Sequence, residues 1–417
     1  MKKISFSRLF VAIAVAVGVA VTLLPACGGR CGAGSGILDF HPRREVVPWL
    51  DMSRSGFSRW GEPEAAPSLT LLQFSDLHGD AGNLERIVEF KNEYSEWIAD
   101  AIHVGDAVYC YWDDPNPWDL VSGAEKVLNT VGNHDCWKGH LVWAQSRRPY
   151  DATAEEAFSL IMVGKNPSKP FIDNWNVQKP EGPLCYYYKD YPAERIRLVV
   201  LDCMHYDAAQ DAWLAGVLAD ALSKGLTVVG AQHYPPQSGL DEIPGGFSDL
   251  DEDLTAIPSP VVETGDIARM EAARTSASDA DLSGVPAGTS LRFDLPGAPQ
   301  MECFYDAAFA AVDRFIEAGG TFACWLSGHT HLDHIGHVRG HSRQLMVIVD
   351  KSGEKDSYMQ EARTRGTVLQ DSFNLLTVNT SRKTLYVKRI GCTRDQYQRS
   401  KTYFTYNYST GEVLTNE

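Results

Sequence analysis

Short apolar runs, each ending in a knot of polar residues, recur along the chain from residue 69 onward. Residues 69–74 have the length and branching of a buried strand. Residues 82–97 carry Leu84, Ile87, Val88 and Tyr94 near one face at helical spacing, with Asn83 as a candidate cap. Residues 101–104 predict a second strand, and residues 123–131, apolar from 126, a third. A helix follows over 152–163, then strands over 185–189 and 196–201 that read as a hairpin across 190–194. Residues 209–223 predict a helix closed by Lys224-Gly225, and 226–231 a strand. Residues 239–300, rich in Asp, Glu, Ser, Gly and Pro, are too long for an ordinary loop. They read as an acidic insertion, with a lid over the site as the alternative. Order resumes with a helix over 305–318, closed by Gly319-Gly320, and strands over 321–326, 344–349, 372–378 and 384–390. The tail keeps Tyr397, Tyr403, Phe404, Tyr406 and Tyr408, which predicts a packed segment. Strand and helix alternate at βαβ spacing, so the fold class is α/β, with its site at the carboxyl ends of strands.

The N-terminus is read apart from this fold. Lys2, Lys3 and Arg8 precede an apolar run over 9–24, followed by Pro25-Ala26-Cys27-Gly28-Gly29. This resembles a bacterial lipoprotein signal, in which the cysteine is lipidated after cleavage in front of it. Pro25 departs from the small residue usual there. An ordinary secretory signal and an uncleaved anchor are the alternatives. The expected organisation is a signal at 1–26, a Gly-rich and irregular tether at 27–67, and a folded domain at 68–412 that contains the insertion. The expected location is outside the cytoplasm, anchored to the membrane by the N-terminal lipid, or else secreted.

Hydrophobic content of 44% and charged content of 22% are those of a globular protein. The net charge of −16 argues against general binding of nucleic acid or acidic membrane. An anionic substrate would therefore need locally fixed positive charge, such as bound metal. The nine cysteines form no dense framework. Cys203 and Cys324 sit in strand-like runs as small buried hydrophobes. A disulfide between Cys110 and Cys136 is permitted but not set by the sequence.

The chemistry lies in the strand-end knots. In order they are Asp76-x-His78, Gly105-Asp106, Gly132-Asn133-His134-Asp135, His233, and Gly328-His329-Thr330-His331. Each alone has a bland reading: a capping Asp, a core His, a surface His pair. Five such knots at successive strand ends point to one site instead. The N and O donors of these knots, with no thiolate among them, suit Zn, Mn or Fe.

This ordered set resembles the calcineurin-like metallophosphoesterase family, over most of residues 69–331. The resemblance implies a four-layer α-β-β-α sandwich of two β-sheets with a dinuclear metal site at the strand ends. It implies that Asp76, His78 and His331 hold one ion, that Asn133, His233 and His329 hold the other, and that Asp106 bridges them. It makes His134 the catalytic histidine, with Asp135 expected to orient it. Gly105-Asp106-Ala107-Val108-Tyr109 also looks like the segment that supplies a tyrosine ligand in purple acid phosphatases. There the first motif lacks the histidine that stands here as His78, so His78 is the favoured ligand and Tyr109 the alternative. The implied activity is hydrolysis of phosphomonoesters or phosphodiesters. The expected substrate is small and phosphorylated, such as a nucleotide or sugar phosphate. Tyr109, Tyr111, Trp112, Trp118, Trp137 and Trp143 could stack on it, and Lys138, His140, Arg147 and Arg148 could hold a distal phosphate. An inactive binding protein on the same scaffold is the alternative function.

Overall fold

All but the first residue of β1 (Ser68–Phe74) are buried, as a strand covered on both faces requires. The computed structural model describes residues 67–109, 115–136, 152–236, 240–243, 299–331, 333–353, 371–391 and 403–416. The signal and tether, Cys110, Tyr111, Trp112, the basic and aromatic residues of 137–148, and nearly all of the acidic insertion lie outside them.

Two mixed sheets of seven strands make up the core. In the first, β1 pairs in parallel with β2 (Asp100–His103), and β2 with β3 (Leu128–Asn129). On its other side β1 runs antiparallel to β11 (Ser372–Asn379). The sheet continues through β12 (Thr384–Gly391), β13 (Tyr403–Asn407) and β14 (Glu412–Asn416). The second sheet holds a parallel set: β5 (Ile196–Val200), β6 (Thr227–Ala231), β8 (Thr321–Ser327) and β10 (His341–Ile348). Antiparallel β4 (Tyr187–Tyr191) flanks β5, while β9 (His334–Val338) and β7 (Leu240–Glu242) follow β10.

Side-chain alternation along a strand separates the layers. Asn374 of β11 reaches Gln73 of β1, whose amide crosses to Ser327 and Val347 of the second sheet. The adjacent Phe373 faces the other way and meets Phe90 of α1 (Ala81–Glu93), ring centroids 5.0 Å apart. On the second sheet, Trp325 of β8 meets Phe309 of α4 (Pro299–Glu317) edge-on at 5.4 Å, and α3 (Ala208–Lys224) packs beside α4. The result is an α/β sandwich of two sheets with helices outside them, as expected.

Three local expectations change. The helix after β1 is capped by Asp80, whose Oδ1 accepts the Asn83 N–H at 3.0 Å, so Asn83 lies inside the helix. The third strand shrinks to two residues, because Gly123 enters a 3-10 turn (Ala124–Lys126) with φ 90° and Glu125 accepts its N–H at 2.8 Å. The 152–163 helix is α2 (Ala154–Phe158), opened by a Thr153–Glu156 capping box and continued as a π turn to Val163. Strands β7, β9, β13 and β14 were not expected, and β7 lies at the start of the expected insertion. Buried Phe404 and Tyr406 do make the tail a packed segment, in a hairpin that ends at Asn416. Cys203 and Cys324 are buried, and Cys136 is a free, buried thiol.

Candidate metal centre

Parallel pairing brings the strand ends together. β1, β2 and β3 deliver Asp76, Asp106 and Asn133 on one sheet, and β6 and β8 deliver His233 and His329 on the other. The loops then bond to each other. The N–H groups of Asp76 and His78 donate to the carbonyls of Gly105 and Asp106, at 3.0 and 3.1 Å, and that of Gly328 to His233 at 3.1 Å.

Backbone conformation marks the same residues. Asp76, His78, Asp106, His329 and His331 have φ between 47° and 71°, in the left-handed region that side chains disfavour. They are five of the eight such non-glycine residues among the described ones, so the strain is concentrated at this site.

Each carboxylate spends one oxygen on the backbone and presents the other. Asp76 Oδ2 accepts the His329 N–H at 3.0 Å, and Asp106 Oδ1 accepts the His134 N–H at 2.8 Å. Their second oxygens, Asp76 Oδ1 and Asp106 Oδ2, are buried without a hydrogen-bond partner, as are both ring nitrogens of His78. Around Asp106 Oδ2 stand His233 Nε2 at 3.2 Å, His78 Nε2 at 3.5 Å and His134 Nε2 at 3.9 Å. Around Asp76 Oδ1 stand His331 Nε2 at 3.3 Å and His78 Nε2 at 3.8 Å. His233 Nδ1 donates to the Val104 carbonyl at 2.8 Å, so Nε2 is the nitrogen that faces the site, with Asn133 Oδ1 3.0 Å away.

Three overlapping groups could hold cations: Asp76 with His78 and His331, Asp106 with His233 and His329, and His78 with Asp106 and His134. Buried carboxylates without partners need positive charge beside them. Burial opposes ionisation of Asp76, but His331 and His78 hold it well below the ordinary carboxylate range. Burial likewise opposes Asp106, and His233 and His134 pull it down. The reciprocal effect lifts His233 to about 9, against burial. The site demands cations, and its N and O donors suit divalent metal ions. The donors thus converge as the sequence resemblance implies.

No family model and no curated protein matches the sequence. Solved structures do resemble the chain. A dimetal phosphatase from Danio rerio is 12% identical, with 82% of this chain and 99% of that one covered and a TM-score of 0.40. A Streptococcus pneumoniae protein described as a predicted phosphoesterase is 10% identical, with 81% and 97% covered and a TM-score of 0.30. The Plasmodium inner-membrane-complex anchor GAP50 is 10% identical, with 84% and 88% covered and a TM-score of 0.35.

All seven expected ligand residues converge here, with His134 beside them. Asp135 does not play the part expected of it. Its Oδ2 accepts the N–H groups of Asp106 and Gly132, at 3.1 and 2.8 Å, and its Oδ1 that of Val108, at 3.1 Å. It holds the turn that carries Asp106 and does not touch the histidine. Burial and the charge of Asp106 raise its carboxyl to about 7. The backbone carbonyl of Tyr109 instead orients His134, accepting from Nδ1 at 2.7 Å. The Tyr109 ring packs against His134 and His78, with centroids at 5.0 and 5.7 Å, and His78 takes its place beside both carboxylates. Trp118 lies in the core against Phe74 and His103, so it is unavailable for stacking on a substrate.

Two buried charged groups were not expected from the sequence. Lys351, fully buried just beyond β10, places its charge near His78 and His331. His205 bonds Asp202 and the Ala152 carbonyl, each at 3.0 Å, behind Cys136. A charged residue directly after an apolar strand, as in Val349-Asp350-Lys351, was the available clue to the first.

Proposed function

We propose that the chain is an exported or lipid-anchored phosphoesterase that uses two metal ions to hydrolyse phosphomonoesters or phosphodiesters. The observation that carries this reading is the pair of buried, unpartnered carboxylate oxygens, Asp76 Oδ1 and Asp106 Oδ2, ringed by histidine nitrogens. Asp76, His78 and His331 would hold one ion, Asn133, His233 and His329 the other, and Asp106 both. When bound, the ions would lower the pKa of water at the site and neutralise phosphate oxygens.

The protein's own groups do the rest. Tyr109 fixes the tautomer of His134 so that Nε2 faces the site, 3.9 Å from Asp106 Oδ2. Burial holds the resting imidazole neutral, down to about 3, against the pull of Asp106. A phosphate dianion alongside would favour the imidazolium, which could then donate from Nε2 to the leaving oxygen. Asp135 keeps Asp106 in place throughout. Export rests on the apolar run ending at Cys27.

The experiment is metal content per chain, together with turnover of chromogenic phosphomonoesters and phosphodiesters by metal-reconstituted protein. Two ions and turnover of either ester support the proposal. Protein that binds two ions and hydrolyses neither ester would make it a binding protein on this scaffold.

A further inference from the structure

Three polar residues stand side by side in the space between the sheets. Arg389, Asn374 and Gln73 are register partners on β12, β11 and β1, and all are buried. Arg389 Nη1 donates to Asn374 Oδ1, and Asn374 Nδ2 to Gln73 Oε1, each at 3.4 Å. Both ends of this row cross to the second sheet. Gln73 Nε2 donates to the carbonyls of Ser327 and Val347, at 3.0 Å each. Arg389 Nη2 pairs with Asp333 and lies 3.8 Å from Asp350 Oδ2, while Asp333 Oδ1 accepts the Asp350 N–H at 3.1 Å. Ser327 and Asp333 bracket the loop that carries His329 and His331. One buried row therefore grips that loop at both ends.

Such a row is a poor way to glue two sheets together. Apolar side chains of similar volume commonly stabilise a core as well as or better than a buried ion cluster. The loop, however, needs more than apolar contact. His329 and His331 have φ of 71° and 54°, conformations that persist only where the surroundings over-determine them.

We propose that Arg389 is a positioning residue of the metal centre. Through Asp333 it fixes the His331 end of the loop, and through Asn374 and Gln73 the Ser327 end. His331 is thereby held to Asp76, at 3.3 Å from Nε2 to Oδ1. The proposal rests on the reading of Asp76, His78 and His331 as the ligands of one ion. A planar guanidinium can serve Asn374 and Asp333 at once, which a lysine ammonium cannot do in the same geometry.

The test is calorimetric titration of metal-stripped full-length protein with zinc and with manganese, backed by metal analysis. Wild type, Arg389→Lys, Arg389→Met and Asp333→Asn are compared, with His331→Ala and His233→Ala marking which binding step belongs to which ion. Circular dichroism and melting report folding. The expected result is a 10- to 100-fold loss in the step marked by His331→Ala, the range typical for lost support of a metal ligand. The step marked by His233→Ala should be unchanged, and Arg389→Lys should be as weak as Arg389→Met. Unshifted titrations in folded variants overturn the proposal alone. Equal weakening of both steps in step with a lower melting temperature also overturns it, since the row would then be scaffold. If the Arg389 variants fail to fold, Asp333→Asn, which keeps the side-chain shape, decides between the same outcomes. Wild-type protein that fails to bind two ions overturns the two-ion reading and this proposal with it.

Discussion

Asp135 Oδ2 accepts the backbone N–H of Asp106 at 3.1 Å, across 29 residues of chain. The same carboxylate gathers the N–H groups of Gly132 and Val108, so it ties the third strand-end motif to the second. Asp135→Asn would point an amide N–H at one of these donors. Leaving a buried N–H without an acceptor costs about 1–3 kcal/mol. The melting temperature and the affinity for metal should both fall. The pH profile of residual turnover should keep its shape, because His134 depends on Tyr109. A changed profile at unchanged stability would return Asp135 to the histidine.

His134 offers a test by leaving group. His134→Ala should keep two metal ions and slow release of a poor alkoxide by about 10²–10⁴-fold, the usual worth of general-acid help. A nitrophenolate needs little protonation, so its release should slow less. Equal slowing of both, with metals retained, would place the ring on the phosphate or the nucleophile instead. Loss of metal would make His134 a ligand.

Gly132 is where the backbones come closest. A Cβ there would lie 2.2 Å from Asp106 Oδ1 and 2.4 Å from the Asp106 nitrogen. The glycine is required because a Cβ would displace Asp106, the bridge in the proposed two-ion centre. Gly132→Ala must push Asp106 aside, and metal analysis should then show fewer than two ions per chain. Gly216→Ala, on α3 where nothing lies within 4 Å, is the control that should leave metal content unchanged.

His205 gives a dependence on pH away from the metals. Both ring nitrogens face acceptors, Asp202 and the Ala152 carbonyl, so the ring is an imidazolium. Burial opposes that charge, but Asp202 outweighs it and lifts the histidine to about 12. An unfolded histidine titrates near 6.5. A raised folded-state pKa gives stability that is complete below about 6.5 and lost as pH climbs toward the folded value, by up to about 1.4 kcal/mol per unit. Denaturant melts of wild type and His205→Gln should therefore differ most near pH 6, with the gap narrowing steadily as pH rises to 10. A gap that widens with pH would mean that the buried ring is neutral.

Much of this was legible in the sequence because period and punctuation agree. The buried runs of β1, β6 and β8 each end in a knot of ligands, and parallel pairing of those strands puts the knots on one edge. The strands that were missed lack that contrast. β9 carries His334, Gly336 and His337 in five residues, so its burial leaves no apolar signature. The roles of neighbours were harder still. Asp135 follows His134 directly, which suggests a pair, yet the 3-10 turn His134–Cys136 sends the two side chains to different partners. Nothing in the sequence ties Arg389 to His331, because its partners Asn374 and Asp333 come from two other segments.

In the proposed two-ion centre, Asp106 Oδ2 is shared by both ions. Asp106→Asn removes that charge while its Oδ1 can still accept the His134 N–H. Metal content per chain, measured after reconstitution and dialysis alongside phosphoester turnover, tests the claim most directly. Wild type should retain two ions, and Asp106→Asn fewer than two with turnover abolished. Two retained ions and wild-type turnover in Asp106→Asn would contradict it.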